Sequence, residues 1–304
     1  HLASLLLTEG TSSRDASSIA RELDDLAASM VGFSGRSSLG LGLTALSRDF
    51  GQALHLFAHC LFDAGFPESE LERLRGEVLQ EISARRDNLG ASVFDLFHRQ
   101  LHRGHPYART LMGDAETTGR LRRDDLVAFH GALVRPERMV VAVVGDVDPT
   151  EVYRIVESTF RARAASVPAA PWPPPPKPPP PAAATRSDEP RQKQQSHIVL
   201  GFPTPHHASP DRLALEALAS VLGGQGGRLF LELRDRRSLC YSVGAYLTPG
   251  YDVGSFSVYM ATAPAKVPAA IEAIREQLAA VAADGVSAEE LRRACRSLAG
   301  HREI

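Results

Sequence analysis

Three cysteines, Cys60, Cys240 and Cys295, are all that this chain of 304 residues carries. They are odd in number and far apart, which excludes a disulfide framework and a cysteine-based zinc site; each reads most simply as a small buried hydrophobe. Charge of one sign is lacking as well. Lys and Arg number 34 against 36 Asp and Glu, leaving −2 at neutral pH, so no basic field argues for nucleic acid or an anionic membrane surface. The apolar runs stop after a few residues, far short of the ~20 that a membrane span needs. There is no initiator methionine: the chain opens with His1 inside an apolar helical pattern and stops at Ile304 inside another. The expectation is a piece of a longer polypeptide, with any targeting segment outside it and the compartment unreadable. What is present, 43% apolar and 23% charged residues, is ordinary globular composition at a length that suits two domains.

Proline marks the boundary. Between Pro168 and Pro181, 10 of 14 residues are proline, and a polar run continues through Gln195. Such a stretch can join neither a ladder nor a helix, and reads as a polyproline spacer rather than an SH3-type ligand. The expected organisation is a domain over 1–166, a linker over 167–190 and a domain over 191–304.

In the first part, Ile19, Leu23, Leu26 and Met30 recur at helical spacing, and Leu39, Leu41 and Leu43 alternate as in a half-buried strand. Val31–Phe33 reads as a strand as well. Phe50, Leu54, Phe57 and Leu61 stripe another helix. Pro67 with Glu68, Glu70 and Glu72 opens a third, whose core face is Leu71, Leu74, Val78 and Ile82. Met139 to Val144 is a β-branched run that predicts a strand. The second part predicts a strand over 197–202, a helix over 212–222, a glycine break at 223–227 before a short helix through Arg237, strands over 239–247 and 254–262, and helices from Val267 and Ala288. Gly65–Arg73 also aligns without gaps on Gly285–Arg293, each copy following one helix and opening the next. With the matching order of elements, that echo favours two related α+β domains.

The segment His1-Leu2-Ala3-Ser4-Leu5, leading into Gly10-Thr11, resembles the inverted zinc motif H-x-x-E-H of the M16 peptidases, the pitrilysin-like and mitochondrial-processing-peptidase-like zinc family. There, two histidines four apart share a helix face and grip one zinc, and the intervening glutamate is the general base. His1 matches the first histidine, Ser4 stands at the glutamate and Leu5 at the second histidine. Glu81 falls at the spacing of the third ligand. Gly104-His105-Pro106-Tyr107 and Val144-Gly145-Asp146-Val147 are similar to further family landmarks. The most specific stretch runs from Leu222-Gly223-Gly224 through Arg234 to Tyr241. The resemblance implies two related domains, each a β-sheet with helices over one face, and a site role for Arg234 and Tyr241 in stabilising the tetrahedral intermediate.

The departures set the expected function. Serine cannot serve as base for a zinc-bound water, and leucine cannot ligate metal, so two remnant ligands stand where three are needed. Zinc is therefore not expected here, although active relatives use it. The resemblance implies a catalytically deficient subunit or half that binds extended peptides and supports a catalytic M16 partner, separate or fused. Two alternatives stand beside it: an active zinc metalloendopeptidase, and a purely structural core-subunit-like protein. Plainer readings exist at each residue. His1 and Glu81 can be ordinary solvated helix residues, and Arg234 and Tyr241 can simply pack at an interface. His55 and His59 share the four-residue spacing but fall on the helix face turned away from the core, and His98 with His102 repeat the spacing without a matching acid. The glycines at 223–227 lack the Lys-Ser/Thr of a phosphate loop and read as a turn.

Overall fold

The computed structural model describes residues 1–164 and 183–303, so the proline run itself lies outside the described residues. In chain order the elements are α1 (Leu2–Leu5), α2 (Ala16–Asp25), β1 (Ser29–Ser34), β2 (Leu39–Thr44), α3 (Phe50–Phe62), α4 (Glu68–Asp87), α5 (Leu89–Leu101), α6 (Ala115–Arg120), α7 (Arg123–Leu133) and α8 (Pro149–Ala164). After the linker come β3 (Ser196–Thr204), α9 (Arg212–Leu222), a π-helix (Phe230–Arg236), β4 (Cys240–Thr248), β5 (Gly254–Thr262), α10 (Val267–Asp284) and α11 (Ala288–Glu303). They form two compact units: His1–Ala84 with 110–164, and Arg85–Arg109 with 183–303.

The first unit is organised around α4. Leu71, Leu74, Val78 and Ile82 repeat every three to four residues and are all buried, so one stripe faces Leu2, Ala3 and Leu6 at the start of the chain. Burying a side chain of that size stabilises by roughly 2 kcal/mol, so the stripe holds α1 firmly in place. β1 and β2 form an antiparallel hairpin in the register Val31↔Gly42 and Phe33↔Gly40. Met30 and Leu41 turn inward to a second cluster with Ile19, Leu54 and Phe160.

The helical pattern through Met30 ends early. Helix α2 stops at Asp25 because Ala27 adopts φ +46° and the amides of Ala27 and Ala28 turn back to the carbonyls of Asp24 and Leu23. That closure is a Schellman-type cap, and it delivers Met30 to a strand instead. Met139–Val144 is also not a strand. Among the described residues nothing pairs with it, and Val140 and Val144 are 95% and 99% exposed. β-branched composition makes a strand only where a ladder partner is available.

The second unit is a three-stranded antiparallel sheet in the order β3-β5-β4. Along β5, Phe256, Val258 and Met260 point to one face, where Leu222, Leu229, Leu233, Ala273 and Ile274 cover them. The alternate residues point to the other face, and there α5 lies: Phe94 stacks on Tyr259 with centroids 5.7 Å apart. A side chain at Gly201 would meet Phe97 within 2.8 Å, so the strand and α5 approach closely. The sheet carries helices on both faces, where helices over one face are expected from the sequence, and residues 85–109 cluster with the second unit, their aromatic face being spent on its sheet. Cysteine is corrected too. Cys60 is buried, with its thiol pushed up to about 11 by desolvation, but Cys240 is only half-buried and Cys295 is exposed. Among the described residues no helix is long and apolar enough to cross a membrane.

Candidate functional site

The first constellation sits on α1. The amide of Leu5 bonds to the carbonyl of His1 at 3.2 Å, so positions 1 and 5 fall one above the other on a single helical turn. His1 Nε2 lies 3.7 Å from Glu81 Oε2 on α4, and His1 Nδ1 lies 3.1 Å from Ser34 Oγ on β1. The two expected remnant ligands are therefore brought together from residues eighty apart. Leu5 is half-buried against the α4 stripe and presents only carbon. Ser4 is wholly buried, and its hydroxyl donates to the His1 carbonyl at 2.7 Å, the ordinary use of a serine within a helical turn. One imidazole and one carboxylate do not make a catalytic zinc site, which needs three protein ligands. Among the described residues no group of three or more His, Cys, Asp or Glu has metal-holding geometry.

Close packing holds this corner. A Cβ at Gly32 would fall 1.8 Å from the Ser4 carbonyl oxygen, so β1 can press against α1 only because position 32 is glycine.

The second constellation belongs to the second unit and is built on two irregularities. A glycine-rich turn releases α9, with a Cβ at Gly227 excluded by Gly223 O at 1.9 Å. The chain then winds into the π-helix, in which Arg237 N–H reaches back five residues to Glu232 O at 3.1 Å. Leu229 and Leu233 bury one face completely and leave Phe230 and Arg234 on the next. β4 begins with a bulge: Cys240 pairs with Thr262 and Ser242 with Ala261, so Tyr241 is the extra residue. A bulge re-aims its side chain, and Tyr241 is 77% exposed. The Arg234 guanidinium lies between two rings, 4.4 Å from the centroid of Phe230 and 4.9 Å from that of Tyr241. Arg234 and Tyr241 are thus in contact, each placed by a local departure from regular structure. Adjacent Cys240 has its thiol pushed up by burial, which leaves it a poor nucleophile.

The other histidine pairs do not form sites. His59 pairs with Asp63 at 3.1 Å, while His55 points to solvent. His98 and His102 are buried, which their spacing alone does not indicate, and their rings stack 9° from parallel at 5.7 Å. Parallel rings do not converge on one ion. His105 beside them accepts from Tyr107 N–H and faces Asp252 Oδ2 at 3.5 Å, tying two turns of the second unit together.

Known proteins agree with this architecture. The family described as insulinase (peptidase family M16) matches residues 1–115, and that described as peptidase M16 inactive domain matches residues 120–298. An uncharacterized zinc protease of Mycobacterium leprae is 33% identical over 301 residues, covering 99% of this chain and 68% of the relative. One from Streptomyces coelicolor is 31% identical over 304 residues, covering 99% and 66%. The chain thus spans about two thirds of the length of these curated relatives. Among solved structures, a peptidase M16 inactive domain from Pseudomonas fluorescens superposes with a TM-score of 0.87 at 24% identity, over 98% of this chain and 73% of its own. A protease from Helicobacter pylori does so with a TM-score of 0.87 at 21% identity, over 99% and 73%; at such identities the likeness is one of fold. With both M16 patterns matched in order along the chain, it belongs to the M16 peptidase family.

Proposed function

We propose that this chain is a catalytically deficient M16-peptidase-like subunit or half that binds extended peptides and supports an active zinc-peptidase partner. The observation that supports the reading is an asymmetry of retention. On α1 the positions of the base and the second imidazole carry Ser4 and Leu5, whereas Arg234 and Tyr241 remain in contact, the arginine half-buried and the tyrosine exposed. A guanidinium flanked by rings keeps its charge and its outward N–H groups, so it suits a peptide carbonyl or carboxylate. Among the described residues no further strand joins the β1–β2 hairpin, and its edges can take an extended segment through main-chain hydrogen bonds. In this reading the chain holds no catalytic zinc, and the partner supplies the metal and the general base.

The relatives named zinc proteases support the competing reading of an active metalloendopeptidase. One experiment separates the two. The purified protein is incubated with unstructured peptides, with and without a chelator, alone and with an M16 protein bearing an intact motif. The expected result is weak peptide binding, no chelator-sensitive cleavage alone, and a stable complex with raised cleavage on mixing. Arg234→Ala should weaken peptide binding by about tenfold, the loss of one charge-assisted contact. Chelator-sensitive cleavage by the isolated chain would overturn the proposal. A complex indifferent to Arg234→Ala and Tyr241→Phe would reduce the pair to interface packing.

A further inference from the structure

The chain must cross from the π-helix to the bulged strand in three residues, 237–239, and this short crossing sets the distance between Arg234 and Tyr241. It starts as the backbone-closed end of the π-helix: Ser238 N–H donates to Arg234 O at 3.0 Å and Leu239 N–H donates to Leu233 O at 2.8 Å. Ser238 sits at φ +50°, a conformation that a side chain other than glycine adopts at a cost. The carbonyls of Ser238 and Leu239 lie beyond the helix and before the ladder, where backbone acceptors have no regular partner. Each is taken by a side chain from the same direction. Thr262, at the last position of β5, donates its hydroxyl to Leu239 O at 2.6 Å and is itself buried. Lys266, just beyond it, donates its ammonium to Ser238 O at 2.8 Å. Thr262 is pinned on both flanks, opposite Ser196 on β3 and Cys240 on β4, so its hydroxyl is a fixed point rather than a mobile one.

We propose that Thr262 and Lys266 are positioning residues for the Arg234–Tyr241 pair: the backbone closes the turn at Ser238, and these two side chains, by holding the two crossing carbonyls, fix the exit from that turn and place the bulged Tyr241 ring against the guanidinium. Neither residue touches the peptide. The proposal deepens the peptide-binding reading above and rests on it for its functional consequence, but its geometric claim concerns the pair alone. Removing the Thr262 hydroxyl frees the Leu239 carbonyl, lets the crossing relax, and withdraws one of the two rings that flank Arg234.

The test reads the pair directly. With arginine side chains isotopically labelled, the Arg234 Nε–H and Cδ–H resonances are identified by their loss in Arg234→Lys. Two flanking ring faces shield these protons, and Tyr241→Leu defines the position with one ring removed. Thr262→Val, which keeps the shape and deletes the donor, is expected to move the Arg234 resonances toward the Tyr241→Leu position. It should also weaken peptide binding by about tenfold, the usual consequence of one lost hydrogen bond that orients a contact. Thr262→Ser, which restores the hydroxyl, should recover both. A residue that only stabilises the fold would lower the melting temperature in Thr262→Val and leave the folded pair's resonances in place; that result overturns the proposal. Lys266→Met, at an exposed position, covers the case in which Thr262→Val does not fold: a partial move of the resonances supports the proposal and unchanged resonances overturn it. If the unaltered protein binds no peptide, the peptide-holding reading fails by itself, and the resonances still decide the positioning.

Discussion

In the first unit, β1 lies so close to α1 that position 32 has no room for a Cβ, and a buried aliphatic stripe on α4 also packs against α1. In the second unit the corresponding work is done by polar reach: a hydroxyl and an ammonium hold the crossing before β4, and Arg228 spans from the π-helix side to Glu290 on α11. The difference bears on how each constellation changes in evolution. A corner fixed by packing keeps its shape whatever polar groups it carries, since Leu5 packs on the α4 stripe and Ser4 is buried beside β1. A pair fixed by hydrogen bonds to backbone persists only while the donors persist. Substitutions that alter volume should therefore tell most at the α1 corner, and substitutions that alter polar groups at the crossing before β4.

The largest effect expected is a gain. If packing alone preserves the α1 corner, a third donor can be added to it without rebuilding the site. Leu5→His replaces a half-buried leucine with an imidazole of similar bulk on the same turn as His1, which already faces Glu81 at 3.7 Å. Zinc affinity should rise on the order of a thousandfold, toward one equivalent retained after dialysis, because a two-ligand remnant becomes a three-ligand set. Peptide cleavage should not follow, since Ser4 remains. Elemental analysis that finds no gain in a folded variant would show that the corner has drifted out of ligand geometry.

Next comes the packing itself. Gly32→Ala places a carbon where the Ser4 carbonyl already sits, and that backbone cannot turn aside as a side chain can. The expected loss is about 2–4 kcal/mol, the cost of overpacking combined with a displaced strand. Denaturant unfolding of the variant measures it. A loss under about 0.5 kcal/mol, the range of an ordinary surface change, would mean that β1 and α1 slide freely and that the first unit is not packing-fixed.

The same contrast explains which features are legible in the amino-acid sequence. Apolar periodicity carries packing, so the α4 stripe and the strand pattern of Leu39, Leu41 and Leu43 are legible down to single residues. The pairing of His1 with Glu81 is legible through family resemblance, not through pattern, since nothing local links residues eighty apart. The failures are of three physical kinds. The end of α2 turns on the positive φ of Ala27, a residue with no propensity for it, so Met30 reads as helical. The run Met139–Val144 has strand composition without a strand's partner. Helix α5 spends its aromatic face on Tyr259 and Gly201, residues more than a hundred positions away, so its allegiance to the second unit has no local signature. The bulge at Tyr241 is the same problem in miniature, because alternation counts residues and cannot mark the one that drops out of register.

A smaller effect is expected at Ser238, with opposite signs for stability and binding. Ser238→Gly removes the penalty of a left-handed backbone and should stabilise the second unit by up to about 1 kcal/mol. It also loosens the crossing, so peptide affinity should fall severalfold while the melting temperature rises. Stability and affinity rising together would show that the crossing's stiffness contributes nothing to the Arg234–Tyr241 pair.

The smallest effect concerns pH, and it sets the two copies of the helix-opening echo against each other. In the second copy, Ser287 and Glu290 form a capping box: Ser287 N–H donates to Glu290 Oε2 at 2.8 Å, and Glu290 N–H donates to Ser287 Oγ at 3.2 Å. Arg228 Nη2 donates to the same carboxylate at 2.7 Å. Chiefly through the Arg228 contact, and then through Ser287, the Glu290 carboxyl is lowered from 4.5 to about 2. In the first copy the position matching Ser287 is Pro67, which has neither the hydroxyl nor the N–H, so no such box closes there. A carboxyl whose folded value lies below its unfolded one binds fewer protons in the native state, so its contribution is fully present above about 4.5 and is lost as pH falls toward about 2. The group lies near the surface and is screened, so the contribution is held to about 1 kcal/mol or less. Glu290→Gln should therefore cost that amount at pH 7, and the gap from the unaltered protein should narrow steadily as the pH of the unfolding measurement is lowered from 5 to 3. A gap that stays constant across that window would mean that the charge on Glu290 is irrelevant and that the second unit's ties, like the first unit's, are matters of shape.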